Sequence, residues 1–216
     1  VSEETQKPDL TRVPMMQRRR LGTLARTVFH VLDRCANTLA QEPVIFSSYM
    51  GEIQRTQEIL ECIAADRPVS PMAFSLSVHN AIGGQWSLIH GIKAPMIALS
   101  PPGNSPVPAL LEGLGILQED IYPAVNIVYY EEAYPQFYDP FLSGPERPSA
   151  LAVRIVPPRR DSGSDCLTLN LEQLPPEPHV TVLDGNQEAL RHLLSGQCTD
   201  ATVTEAQCRW QLRRCS

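Results

Sequence analysis

Three short apolar runs, VIFSSYM (44–50), MIALS (96–100) and AVNIVYYEE (124–132), most narrow what this chain can fold into. Each is too short for a core helix and is bounded by proline, glycine or polar residues, so each reads as a strand, the first and third of them buried. Amphipathic helical patterns separate them. From Pro14, the residues Leu21, Leu24, Val28, Val31, Leu32, Cys35 and Leu39 recur at three- and four-residue steps until Pro43, which predicts one long helix. Ile53, Thr56, Ile59, Leu60 and Ile63 mark a second helix, and Val78, Ile82, Trp86 and Ile89 share a face of a third. Gly83 and Gly84 inside that third helix predict a close approach by another backbone. Ser105 suits a helix cap and Pro106 a first helical position, with Leu110, Leu111, Leu114 and Leu117 as the apolar face. Strands alternating with amphipathic helices indicate a layered α/β fold.

Further on, ALAVRIV (150–156) and CLTLNL (166–171) read as a hairpin or as two neighbouring strands. HVTVLD, EALRHLL and RWQLRR add a strand, a helix and a last strand. The 20 prolines gather in the connections, including a Pro- and Tyr-rich loop at 134–148. The 216 residues suffice for one domain with a sizeable core, and no repeat or low-complexity segment interrupts them.

The charge balance excludes some partners. A net charge of −6 argues against a nucleic-acid surface. Arg18, Arg19 and Arg20 form a local basic cluster, read either as a solvated helix face or as a docking patch for an acidic partner. No apolar stretch is long enough to span a membrane, and the polar start VSEETQKPDL does not read as a secretory leader, so a cytoplasmic location is expected. The six cysteines, 35, 62, 166, 198, 208 and 215, form no CxxC pair and no zinc spacing, and are expected to be reduced. No metal or cofactor is expected.

No self-sufficient catalytic set emerges. Ser105 follows a strand and precedes a helix, but Gly103-Asn104-Ser105-Pro106-Val107 lacks the second glycine of a nucleophile elbow. His79 and His90 stand too far apart to share a metal, and His30, His179 and His192 have no Cys or Ser partner in the pattern. Glu131 and Glu132 are adjacent at a strand end and point to opposite faces, a poor acid–base pair. Neither phosphate-binding glycine motif occurs.

Residues 70–105 resemble the condensing enzymes of fatty-acid and polyketide synthesis, the β-ketoacyl synthases of the thiolase fold. Asn80 and the pair Gly83-Gly84 match that family's Asn helix, Lys93-Ala94-Pro95 its turn, and Met96 to Leu99 its apolar strand. VNIVYYEE (125–132) is similar to the strand that follows the nucleophile helix. On this pattern Gly103 stands where the family has a nucleophilic Cys, after Pro101 and Pro102 instead of small residues. RRRLGTLAR, PVIFSSYMGEIQRT, SPMAFSLSVHNAIGG and IVYYEE together resemble a narrower group. These are the short β-ketoacyl synthase-like N-terminal-domain proteins of bacterial aryl polyene clusters, described as chain-length factors. The resemblance covers roughly residues 10–156.

The resemblance implies a truncated thiolase-like fold, N-terminal half only, with a mixed central sheet and helices on its faces. One ketosynthase-like domain over 1–216 is expected, with 157–216 as a C-terminal extension. It implies a catalytically silent subunit, since Gly103 has no side chain to acylate and the half bearing the assisting histidines is absent. The implied partner is a Cys-bearing ketosynthase, in a heterodimer or heterotetramer, with acyl carrier protein met indirectly. Met72, Phe74 and Asn80 are then the tunnel-lining candidates. The strand Met96, Ile97, Ala98, Leu99 and Ser100, with Trp86 and Ile89 beside it, is the expected pairing surface. The face that a second half would cover is expected to be bare. The alternative is a small-molecule-binding or scaffold protein that kept only the fold.

Overall fold

The computed structural model describes residues 7–157, 168–175, 186–205 and 208–215. Its main sheet has four strands: β1 Val44–Ser47, β2 Met96–Leu99, β3 Val125–Glu131 and β4 Ser149–Ile155, in the order β2-β1-β3-β4. β1 runs parallel to both β2 and β3, whereas β4 is antiparallel to β3. The parallel pairs are possible because helices carry the chain back between them. β1 and β3 are buried at every residue, which is why their sequences do not alternate with polar residues.

Side-chain alternation along the strands divides the core into two layers. Val44, Phe46, Val128 and Tyr130 face α2 (Thr23–Cys35) and α5 (Ala81–His90), meeting Leu24, Val28, Phe29, Leu32, Ile82 and Trp86. Ile45, Val125, Ile127 and Tyr129 face the other way, toward α6 (Val107–Gln118), and pack with Val107, Ala109, Leu110 and Leu117. α6 meets the sheet at Gly113, where a β-carbon would come within 2.6 Å of Ile155 Cδ1 and 3.3 Å of Ile127 Cδ1.

The long helix expected from Pro14 is broken. α1 (Met15–Arg18) ends four residues before α2 begins, and Gly22 caps α2 in an extended conformation. Arginines close the gap: Arg26 Nε donates to the Leu21 carbonyl, Arg26 Nη2 to the Arg18 carbonyl and Arg18 Nε to the Val13 carbonyl. Arg18 is thus a backbone tie, while Arg19 and Arg20 are exposed. α2 also stops at Cys35, well before Pro43, and Leu39 lies 93% exposed in a separate 3-10 turn. The second expected helix is present as α3 (Ile53–Ala64), yet only Ile53 and Ile59 of its apolar face are buried. A short helix, α4 (Pro71–Ser75), was not anticipated, although its signal was present: Ser70 Oγ accepts from the Ala73 N–H and Pro71 opens the helix. Gly83 does lie under a close approach, but of the Met96 and Phe46 side chains instead of a backbone, and nothing lies close to Gly84.

The C-terminal strands depart further from expectation. β4 does not pair with CLTLNL. That segment contributes to β5 (Thr168–Leu174) of a second, antiparallel sheet with β6 (Asp200–Glu205) and β7 (Cys208–Cys215), ordered β5-β7-β6. The helix α7 (Asn186–Ser195) and the last strand are where the pattern placed them, β6 was not anticipated, and HVTVLD lies outside the described residues. Leu190 and Leu193 of α7, Val203 of β6 and Leu212 of β7 are buried in the same core cluster as Ile45, Val107 and Ile127. The α6 side of the main sheet is therefore partly covered from within the chain, contrary to the bare face expected. Leu111 and Leu114 of α6 remain 43% exposed.

Candidate functional site

The carboxyl ends of β1, β2 and β3 converge on one set of turns. After β2, Ser100 Oγ donates to the Tyr49 carbonyl at 2.7 Å. The chain then makes a 3-10 turn, Pro102–Asn104, before α6. Gly103 lies at φ 61°, ψ 28° and Asn104 at φ 54°, two successive left-handed residues, which glycine and asparagine tolerate best. Asn104 Oδ1 accepts from the Tyr49 N–H at 3.1 Å, and its Nδ2 donates to the Tyr134 hydroxyl at 3.5 Å. Ser105 is fully buried, and its Oγ accepts from the Val107 N–H at 3.3 Å. It is a local cap shut away from solvent, as the sequence suggested, although the helix starts one residue later and Pro106 precedes it.

Glu131 closes the cluster. Its carboxylate is 2% exposed and accepts from the Tyr49 N–H at 2.8 Å, the Met50 N–H at 3.3 Å and Ser48 Oγ at 3.2 Å. Burial pushes it up to about 7, against the pull of those donors. Glu132 turns to the other face, accepts from the Gln54 N–H at 3.1 Å, and is likewise pushed up to about 7 by burial. The two serve different partners, so they form no acid–base pair, as their spacing indicated. His79 Nε2 lies 2.8 Å from the Ser48 carbonyl, and His90 packs on Trp86 with Nε2 3.4 Å from Asp33. No group of three metal-ligating residues occurs among the described residues.

The tunnel-lining and pairing candidates fall in two places. Met72 and Phe74, on α4, are 65% and 61% exposed, and Leu60 and Ile63 of the neighbouring α3 are 50% and 61% exposed. Leu60 and Ile63 belong to the apolar set that marks α3 in the sequence, yet they lie exposed. Asn80 is exposed at the start of α5 and makes no side-chain cap. Met96, Ile97, Ala98 and Leu99 are all half-buried and Ser100 is exposed. Among the described residues β2 pairs only with β1, so its second edge is open. Trp86 does not belong to this surface: it is 1% exposed and packs edge-on against Phe29 with ring centroids 5.1 Å apart. Ile89 is half-buried against the same core. The exposed apolar residue of α5 is Leu88, at 83%, which stands off the helix's inward stripe.

Residues 1–214 match the family described as beta-ketoacyl synthase, N-terminal domain. The chain belongs to this family. A solved structure described as a ketosynthase (ApeO) in complex with its chain length factor (ApeC) from Xenorhabdus doucetiae contains a chain of the same fold. The TM-score is 0.76 at 23% identity, over 97% of this chain and 84% of that one. At that identity the likeness is one of fold: a truncated, thiolase-like ketosynthase fold with a mixed central sheet. No curated protein matches the chain. No described helix is long and apolar enough to cross a membrane.

Proposed function

We propose that this family member is a non-catalytic chain-length-factor subunit. It pairs with a Cys-bearing ketosynthase, completes the partner's acyl tunnel and stabilises the complex, in a type II pathway making aryl polyenes. The observation that carries the reading is Gly103. It sits on a strand–turn–helix at φ 61°, the backbone setting of a reactive turn, with no side chain to accept an acyl group. Ser105, the nearest hydroxyl in sequence, is sealed and cannot take over.

Two surfaces support a partner. The open edge of β2 carries no charged residue to guard it against pairing. The neighbouring helices α3 and α4 leave Leu60, Ile63, Met72 and Phe74 each half or more exposed, apolar area of the kind that a partner covers. The structural neighbour is itself part of a ketosynthase–chain length factor complex. Two depressions of the surface, one beside Leu111 and Glu112 and one beside Gln41 and Lys93, are wide open to solvent, unlike the enclosed clefts that small molecules favour. Contact with acyl carrier protein would pass through the ketosynthase.

Co-expression with the ketosynthase from the same cluster, followed by sizing chromatography and an elongation assay, tests the reading. The expected result is a stable, elongating heteromer, with the chain alone aggregating or self-associating. A monodisperse monomer that ignores the ketosynthase overturns it.

A further inference from the structure

Two adjacent glutamates hold the chain segment that leads from β1 into α3 and α4. Glu131 gathers the Ser48, Tyr49 and Met50 donors, and Asn104 links the same Tyr49 amide to Tyr134. One buried carboxylate thus touches the β1–α3 turn directly, and through that turn meets the 3-10 turn and the start of the β3–β4 loop. Glu132 holds the next stretch, at the Gln54 N–H in the first turn of α3, while Gln54 Nε2 donates to the Ala133 carbonyl at 2.6 Å. The donors on Glu131 are neutral, so nothing in direct contact cancels its charge. Glu132 faces Glu52 and Glu58 as well as Arg55 of α3, so its ionisation gathers like charge there. Among the described residues, Tyr130 on β3 and Asn104 also act on Glu131, Tyr134 bonds to Asn104 and His79 meets the Ser48 carbonyl, and none of these carries a fixed positive charge.

We propose that Glu131 and Glu132 form a proton-sensitive latch that keeps the β1–α3 connection seated on the end of the sheet and lets it open locally as the pH rises. The physical reason is water. Closed, the Glu131 carboxyl is cut off from solvent and Glu132 is half-buried; open, both are fully hydrated and ionise in the ordinary range. Burial raises both groups from 4.5 to about 7, so the closed form holds its protons more tightly. Seating is therefore firmest below pH 4.5 and weakens as the pH climbs through about 7. The segment released carries Leu60 and Ile63 on α3, with Met72 and Phe74 on α4 after it. The opening needs no partner; only its effect on pairing rests on the proposed function.

Amide hydrogen exchange of the full chain, corrected for intrinsic rates, tests the latch directly. Protection at Tyr49, Met50 and Gln54 is expected to fall on the order of tenfold between about pH 5.5 and 8, beyond any change at Val128 in the buried strand. Glu131→Gln should flatten the profile at Tyr49 and Met50 and leave that at Gln54. If that variant fails to fold, Glu132→Gln with Gln54 as its reporter gives the same test. Flat profiles in the wild type, or an equal fall at Val128, overturn the latch. So does an unchanged slope at the reporter of a folded variant. None of these outcomes bears on whether a ketosynthase is bound.

Discussion

Single residues decide how charge is buried in this chain. Glu42, just ahead of β1, is 3% exposed. Arg154 of β4 grips it with two bonds, Nε to Oε2 at 2.9 Å and Nη2 to Oε1 at 2.6 Å, and Asn126 of β3 adds a third at 3.0 Å. The Arg154 bonds hold the Glu42 carboxyl below its usual range, against the cost of burial. A carboxyl lowered in the fold adds stability above its unfolded value of 4.5 and loses it as the pH falls further. Arg154→Met should therefore cost about 2 kcal/mol at pH 7, below the usual cost of an orphaned buried charge because the arginine is partly exposed. Urea denaturation should show that cost shrinking near pH 3.5, and an equal cost at both pH values would contradict it. Gly103 gives a second test at this scale. Gly103→Cys puts a β-carbon at φ 61° and should lower stability by about 1 kcal/mol. It should still take no acyl group from carrier protein, because the supporting base and oxyanion donors are not supplied. A mass shift of the intact protein by one acyl unit is the outcome that would refute it.

At the scale of elements, α4 and β2 carry the functional expectations. Phe74 is 61% exposed on a five-residue helix, so its ring adds little to this chain's own core. Phe74→Ala should leave the melting temperature within a few degrees and the pairing intact. In the reconstituted pathway it should lengthen or broaden the products, since a large flat ring is an effective stop in a tunnel. Mass spectrometry of the products decides, and an unchanged distribution from a stable complex counts against a tunnel role. Ile97 lies midway along the open-edged strand β2. Ile97→Lys places a charge where pairing would remove water, a costly change without a counter-ion. The heteromer should be lost in sizing chromatography and the melting temperature lowered as well, because Ile97 packs in part against this chain's own core; a heteromer retained by the folded variant would contradict the pairing role. Strands were the most legible elements because burial on both faces wrote itself into β1 and β3 as short, mostly apolar runs without polar alternation. Helix ends were less legible. The break between α1 and α2 depends on arginine side chains reaching carbonyls five and eight residues away, which no apolar spacing records.

Over the whole molecule, the second sheet and α7 change what a truncated ketosynthase fold looks like. Leu190, Leu193, Val203 and Leu212 enter the core on the α6 side, so the C-terminal unit shares a core with the sheet formed by the first two-thirds of the chain. That cover is incomplete at Leu111 and Leu114. The remaining apolar surface is spread over that flank, the α3–α4 patch and the β2 edge, and the last two are where the proposed partner would act.

The α/β class, the order of the main strands and helices, and the glycine at the turn before α6 could be read from the sequence alone. Each depends on local information: the period of apolar residues, the length of a run, or the identity of one side chain. The tertiary structure alone decided which apolar residues are buried. Ile59 and Leu60 are neighbours of equal character on α3, yet only Ile59 meets the core. Trp86, expected at a surface, was taken inward by Phe29 from an element more than fifty residues earlier. Glu131 and Glu132 were legible only as neighbours pointing apart; the role of Glu131 in holding the β1–α3 turn depends on donors from residues 48–50, more than eighty positions away in the chain. Periodicity reports that a residue is buried somewhere; only the packed chain supplies the partner, because contacts between distant segments leave no local pattern.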